Sequence, residues 1–238
     1  ILFFIIKYRP THVYSFTIKP VIYTGLINLF LKFDHIPTIT GLGRIFYPIW
    51  KRTNLKLFIL FLYKITLTRV KKILFQNHDD QEYFIDSKLV SKNKTLVVNG
   101  SGVDITKYSY TKQPDTDVSF LLVSRLLGEK GLREYAAAAK IVKDKFPQIK
   151  FDLVGAEDES LDAISLEEVY SWANYVNYNG STDDVRPFIE KCHVYVLPSY
   201  HEGLPRSTLE AMSMGRPILT TDAAGCKETV EEGVNGFM

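Results

Sequence analysis

The chain has 238 residues, 46% of them hydrophobic, with a formal net charge of +2, enough to bury one large core or two smaller ones. That near-neutral total hides a split: residues 1–78 carry twelve Lys and Arg against one acid, Asp34, a net +11 that leaves −9 for the remainder. Such asymmetry predicts two domains with different partners, the basic one meeting something anionic. The two cysteines, Cys192 and Cys226, form no Cys-x-x-Cys pair, which excludes a zinc or disulfide framework and predicts two reduced thiols in the cytosol.

The chain opens on the apolar run Ile1 to Ile6, too short to cross a membrane and without a signal-peptide pattern, which reads as a buried strand. Both ends read as truncated. Ile36 to Thr40 is a predicted strand, and Gly41-Leu-Gly43 a turn. Leu57 to Tyr63 is seven apolar residues between lysines, too few for about 30 Å of hydrocarbon. Two readings of Lys56 to Lys72 stay open: a helix packed on its sheet, or a basic, aromatic-rich helix at a membrane surface. They are compatible if one face packs and the other meets lipid, and Phe46, Tyr47, Trp50, Phe58, Phe61 and Tyr63 are the candidate interface aromatics. Lys72 to Gln76 and Thr95 to Val98 are further strands around a helix from Asp79 to Val90. Tyr108 to Asp117 reads as a linker. The predicted domains are therefore residues 1–110 and 111–238.

The second half alternates strand and helix. Strands are predicted at Phe120 to Ser124, Lys150 to Val154, Tyr175 to Tyr178, His193 to Leu197 and Pro217 to Thr221. Helices are predicted at Leu132 to Lys145, Ser165 to Ala173, Asp183 to Cys192 and Arg206 to Met214. This spacing gives a parallel, doubly wound α/β sheet, whose ligands sit beyond the carboxyl ends of strands.

Two strand ends carry candidate chemistry. Arg125 lies just past one, and Lys130 follows before the next helix, with Gly128 and Gly131 permitting a tight turn. Two cations there suit a pyrophosphate, Arg by its fork and Lys as a point charge. A solvated basic loop is the plain alternative. At the other end, Glu202 lies in a Gly- and Pro-containing turn and Glu210 eight positions on, along a helix. The N–H groups of Gly203 and Leu204 suit an anion or sugar oxygens. Taken alone, the two glutamates also fit a turn residue and a surface residue.

Together these stretches resemble the family 4 glycosyltransferases. Ser124, Arg125, Leu126, Lys130 and Gly131 match one family pattern, and Glu202-Gly-Leu-Pro with Glu210-Ala-Met matches the Glu-x7-Glu signature. Asn99 to Asp104, Gly215-Arg-Pro-Ile218 and Glu228 to Phe237 match flanking segments. The resemblance implies the GT-B fold, two Rossmann-like domains facing a cleft, and a retaining transfer of a hexose or N-acetylhexosamine from a nucleotide diphosphate sugar, with uridine diphosphate the expected carrier. It implies that Arg125 and Lys130 hold the diphosphate, Glu202, Gly203 and Leu204 the sugar, and Glu210 the ribose. The loop with Ser181 and Thr182 would lie near the base. No cofactor and no metal are expected, since Arg and Lys neutralise the leaving group.

Ile39-Thr-Gly-Leu-Gly43 resembles a subgroup that builds bacterial surface glycans and lipid-linked oligosaccharides, placing Thr40, Gly41 and Gly43 on the acceptor side. Relatives often carry His near this position; this chain has Thr40, so no catalytic His is assigned. The implied partners are a polyprenyl-diphosphate-linked or other saccharide acceptor and an anionic membrane surface, at the cytoplasmic face of the plasma membrane. Nucleic acid is not expected, because the aromatics fall in apolar runs rather than alternating with Arg. Asp115-Thr-Asp117 precedes its strand and is not read as a metal motif. Another GT-B enzyme (an epimerase or phosphorylase) and an inactive sugar-nucleotide-binding subunit are the alternatives.

Overall fold

The computed structural model describes residues 1–43, 46 and 53–238. The chain divides into two compact units, Ile1–Gly100 and Ser101–Met238.

The first unit carries α1 (Leu2–Tyr8), β1 (His12–Phe16), α2 (Ile18–Asn28), β2 (Asp34–Ile39), α3 (Thr53–Thr66), β3 (Ile73–Phe75), α4 (His78–Asp86) and β4 (Thr95–Val97). Its four strands are all parallel and add in one direction, β1-β2-β3-β4. Val21 and Ile22 from α2, Tyr63 from α3 and Phe84 from α4 meet Ile39, Ile73 and Phe75 of the sheet in one core.

The expected opening strand is a helix instead. A short apolar run does not distinguish strand from helix by periodicity. Here the run coils into Leu2–Tyr8 and ends at Arg9, whose φ of 45° is left-handed, and the first strand of the sheet is His12–Phe16. Only Ile5 of the run is buried.

Helix α3 settles which aromatics are core. Phe46 and Tyr63 are 8% and 1% exposed, and Tyr63 packs edge-on against Phe84 at 5.0 Å between ring centres. These two are therefore not interface residues: burial in the sheet's core takes them from the surface. Phe58 and Phe61 point outward with Leu57, each more than half exposed. Tyr47 and Trp50 lie outside the described residues.

The second unit carries β5 (Ser119–Val123), α5 (Leu132–Lys145), β6 (Lys150–Val154), α6 (Leu166–Ser171), β7 (Asn177–Tyr178), α7 (Arg186–Lys191), β8 (Val194–Leu197), α8 (Arg206–Ser213), β9 (Ile218–Thr220) and β10 (Gly236–Phe237). Leu132, Tyr135, Ala136 and Ala139 make the buried stripe of α5 at helical spacing, and Lys143 and Lys145 complement its C-terminal dipole. The six strands are all parallel, in the order β10-β9-β8-β5-β6-β7. From β5 the chain winds outward through β6 and β7, then returns to the other side of β5 to lay down β8, β9 and β10. The order therefore reverses between β5 and β8, and ligands of open α/β sheets bind outside the carboxyl ends at such a point. Tyr195 of β8 is fully buried there, and its hydroxyl donates to the Val123 carbonyl at 3.1 Å.

Candidate functional site

The loops leaving β5 and β8 are laced together. The Tyr200 N–H donates to the Glu129 carbonyl at 3.0 Å, and the Ser199 hydroxyl to the same oxygen at 3.2 Å. Gly131 sits at φ 73°, and a Cβ there would overlap the Pro198 carbonyl, so only glycine lets the two loops approach. The result is one contact across the reversal point: Lys130 Nζ lies 2.6 Å from Glu202 Oε1, both side chains only 16% exposed. Burial to that degree removes most competing water from the pair, unlike an exposed ion pair. The Glu202 N–H in turn donates to Ala224 at 2.9 Å, and Gly225, at φ 74°, lies so close to the Glu202 and Gly203 carbonyls that a Cβ would collide with both.

Arg125 leaves β5 with its side chain 61% exposed and its Nη1 2.5 Å from Asp158 Oδ2. Asp158 stands in the loop after β6 and is 12% exposed. Hydrogen bonds from Ser160 hold its carboxyl below the usual carboxylate range, with Arg125 adding to the effect. Glu210 is 8% exposed on α8 and accepts from Arg206 Nε at 3.0 Å. Tyr108 is buried beside it; burial first, then the Glu210 carboxylate, raises the Tyr108 hydroxyl pKa above its ordinary value.

Ser181 and Thr182 are exposed beyond β7, after Gly180, whose carbonyl accepts from the Gly155 N–H at 2.9 Å. Asp184 follows, gripped by Arg186 at 2.7 and 2.8 Å, which lowers its carboxyl to about 2. Gly203 is buried and Leu204 half-buried in the turn before α8. In the first unit, Thr40, Gly41 and Gly43 follow the carboxyl end of β2, and Leu42 between the glycines is buried.

Lys130 and Glu202 are thus brought into contact, while Arg125 pairs with Asp158 and Glu210 with Arg206. Sequence reasoning missed Asp158, although the carboxyl-end rule applied to β6 reaches it three residues after Gly155. It also missed Tyr108, which sits in a stretch with linker composition and gives no signal.

The sequence profile described as glycosyl transferases, group 1, matches residues 117–238. The chain belongs to that family. A Campylobacter jejuni protein, the N,N'-diacetylbacillosaminyl-diphospho-undecaprenol alpha-1,3-N-acetylgalactosaminyltransferase, is 30% identical over 84% of this chain and 55% of its own length. Among solved structures, Anabaena HepE in complex with UDP superposes with a TM-score of 0.81 at 21% identity, covering 99% of this chain and 67% of HepE. Sucrose-phosphate synthase from Thermosynechococcus elongatus also reaches 0.81, at 20% identity, over 98% of this chain and 61% of that one. These likenesses establish the GT-B fold. The chain spans about half the length of the first curated relatives it matches.

Proposed function

We propose that the protein is a retaining glycosyltransferase that moves a hexose or N-acetylhexosamine from a uridine diphosphate sugar to a polyprenyl-diphosphate-linked saccharide in bacterial surface-glycan synthesis. The observation that carries this is the Lys130–Glu202 contact at the reversal point, where one cation and one carboxylate face the same carboxyl-end crevice. The Campylobacter relative's named acceptor is lipid-linked through a diphosphate, and HepE's structure holds UDP, which supports the choice of substrates.

On this reading Lys130 and Arg125 take the diphosphate. Glu202 and the N–H groups of Gly203 and Leu204 take the donor sugar, Glu210 the ribose hydroxyls, and the Ser181–Thr182 loop the base. Thr40, Gly41 and Gly43 line the acceptor side. The bond from the anomeric carbon to the β-phosphate oxygen breaks while the acceptor oxygen bonds to the same face of that carbon. The acceptor's hydroxyl proton passes to the departing phosphate, so no protein nucleophile takes part. Positive charge at the leaving diphosphate is worth most where water is thin.

Screening nucleotide sugars with the full-length protein tests this directly: transfer from a uridine diphosphate sugar is expected, and no transfer from any nucleotide sugar contradicts it. On this reading Arg125 and Lys130 supply the leaving group's counter-charge, the role a metal would otherwise fill. Transfer is therefore expected to persist in excess chelator. Loss that magnesium or manganese restores would overturn the metal-independent reading.

A membrane-facing first unit fits this acceptor. Among the described residues no helix is long and apolar enough to cross a membrane. The outer face of α3 instead presents Leu57, Phe58 and Phe61 to solvent, followed by Lys64, in the stretch whose only acid is Asp34. An amphipathic helix of this kind lies in the interface, each basic residue near anionic lipid adding about 1 kcal/mol. Replacing Leu57, Phe58 and Phe61 with Gln is expected to release the full-length protein from phosphatidylglycerol vesicles without changing donor binding. Unchanged vesicle binding, or equal binding of the wild type to RNA, would defeat it.

A further inference from the structure

Arg125 is exposed and long, and a side chain of that kind occupies many rotamers unless something holds it. The structure supplies the holder. Gly155 closes β6 with its Cα so near the Ser124 carbonyl that a Cβ would overlap it, which brings the segment after β6 alongside the loop after β5. The segment touches that loop at Ala156, loops out, and returns to it at residues 162–164. Leu126 N–H donates to Ala156 at 2.9 Å, Gly128 N–H to the Asp162 carbonyl at 2.9 Å, and Ile164 N–H back to Leu126 at 2.9 Å. The Glu129 N–H donates to Asp162 Oδ2 at 2.7 Å, and Leu127 and Ala163 form an antiparallel bridge. Within this brace Asp158 is itself anchored, its Oδ1 accepting from the Ser160 N–H at 2.8 Å while Oδ2 takes Arg125.

We propose that Asp158 is a positioning residue for the donor diphosphate. It fixes one terminal nitrogen of the Arg125 guanidinium, so that the rest of the planar fork is presented, already ordered, at the carboxyl end of β5. The guanidinium carries five N–H donors in a rigid plane, and holding one nitrogen orients the others. Ordering before binding lowers the entropy lost when the ligand arrives. Asp158 does not touch the donor; it acts through Arg125. This inference rests on the reading of Arg125 as a diphosphate ligand.

The test is a double-mutant cycle on the full-length protein, titrated calorimetrically with uridine diphosphate. Asp158→Ala is expected to weaken binding about tenfold, raising the KM for the donor while kcat stays nearly constant, and to have no further effect once Arg125→Ala is present. Asp158→Glu is expected to recover part of the loss. Asp158→Asn keeps an oxygen for Ser160 and removes the charge facing Arg125, so it is expected to lose affinity without loosening the segment. Unchanged or tighter binding in Asp158→Asn, or the same loss with and without Arg125, would overturn the proposal. Wild-type affinity in Arg125→Ala alone would instead refute the donor-site reading beneath it.

Discussion

Lys130→Ala is expected to weaken uridine diphosphate binding by about 10–100-fold, the loss of one charge-assisted contact in a partly dry site. The geometry separates it from its partner. Glu202 pairs with Lys130 at 2.6 Å, so removing the carboxylate frees the ammonium for an incoming phosphate. Glu202→Ala is therefore expected to keep or improve affinity for the free nucleotide while transfer falls steeply, because the group held against the donor sugar is gone. Glu210 lies elsewhere, one turn along α8, beside Arg206 and Tyr108. Glu210→Ala is expected to weaken the free nucleotide and the nucleotide sugar alike. Titrating each variant with both ligands decides the matter: identical losses from Glu202→Ala and Glu210→Ala would refute this division.

The largest effect on stability is expected at Arg216. Its side chain is buried, 2% exposed, just before β9. The guanidinium donates to the carbonyls of Ile189 at 2.9 Å and Glu190 at 3.1 Å, near the C-terminus of α7. It also donates to the Thr111 carbonyl at 3.0 Å, the Thr111 hydroxyl at 2.6 Å and the Lys112 carbonyl at 3.3 Å. The charge is thus met by a helix's negative end and by neutral oxygens, and it ties residues 111–112 to α7 and β9. Arg216→Leu removes five hydrogen bonds at once and leaves the buried Ile189 carbonyl without its donor, and it is expected to destabilise the second unit by about 3–5 kcal/mol. Arg216→Lys recovers little, because one ammonium cannot reach a fork's worth of partners. Thermal melting of the full chain should show an early transition in both variants; a wild-type melting profile for Arg216→Leu would contradict the assignment.

How much of this was readable beforehand follows from where local and tertiary forces agree. The bounds of Leu132–Lys145 and Lys150–Val154 match their expected limits because a helical stripe and a buried apolar strand each signal strongly on their own. The strand at His12–Phe16 and the helix at Ile18–Asn28 were not foreseen. The strand's buried position is polar, Ser15, bonded to His35 at 2.7 Å across the sheet, so its alternation does not read as apolar. The helix contains Pro20 and Gly25, both breakers by propensity. Gly25 is there because a Cβ would come within 2.5 Å of the Thr66 Cβ on α3, a contact only the fold reveals. At the site, the carboxyl-end rule placed Arg125, Lys130 and Glu202 at strand ends. That Lys130 meets Glu202, 72 residues on, depends on the reversal of strand order and on Gly131.

The central claim is that the crevice between β5 and β8 takes the donor's diphosphate. A crystal structure of the full-length protein with uridine diphosphate tests it most directly. The account predicts the phosphates between Arg125 and Lys130, with the ribose hydroxyls on Glu210. Phosphates bound away from both cations, with Lys130 still closed on Glu202, would contradict it.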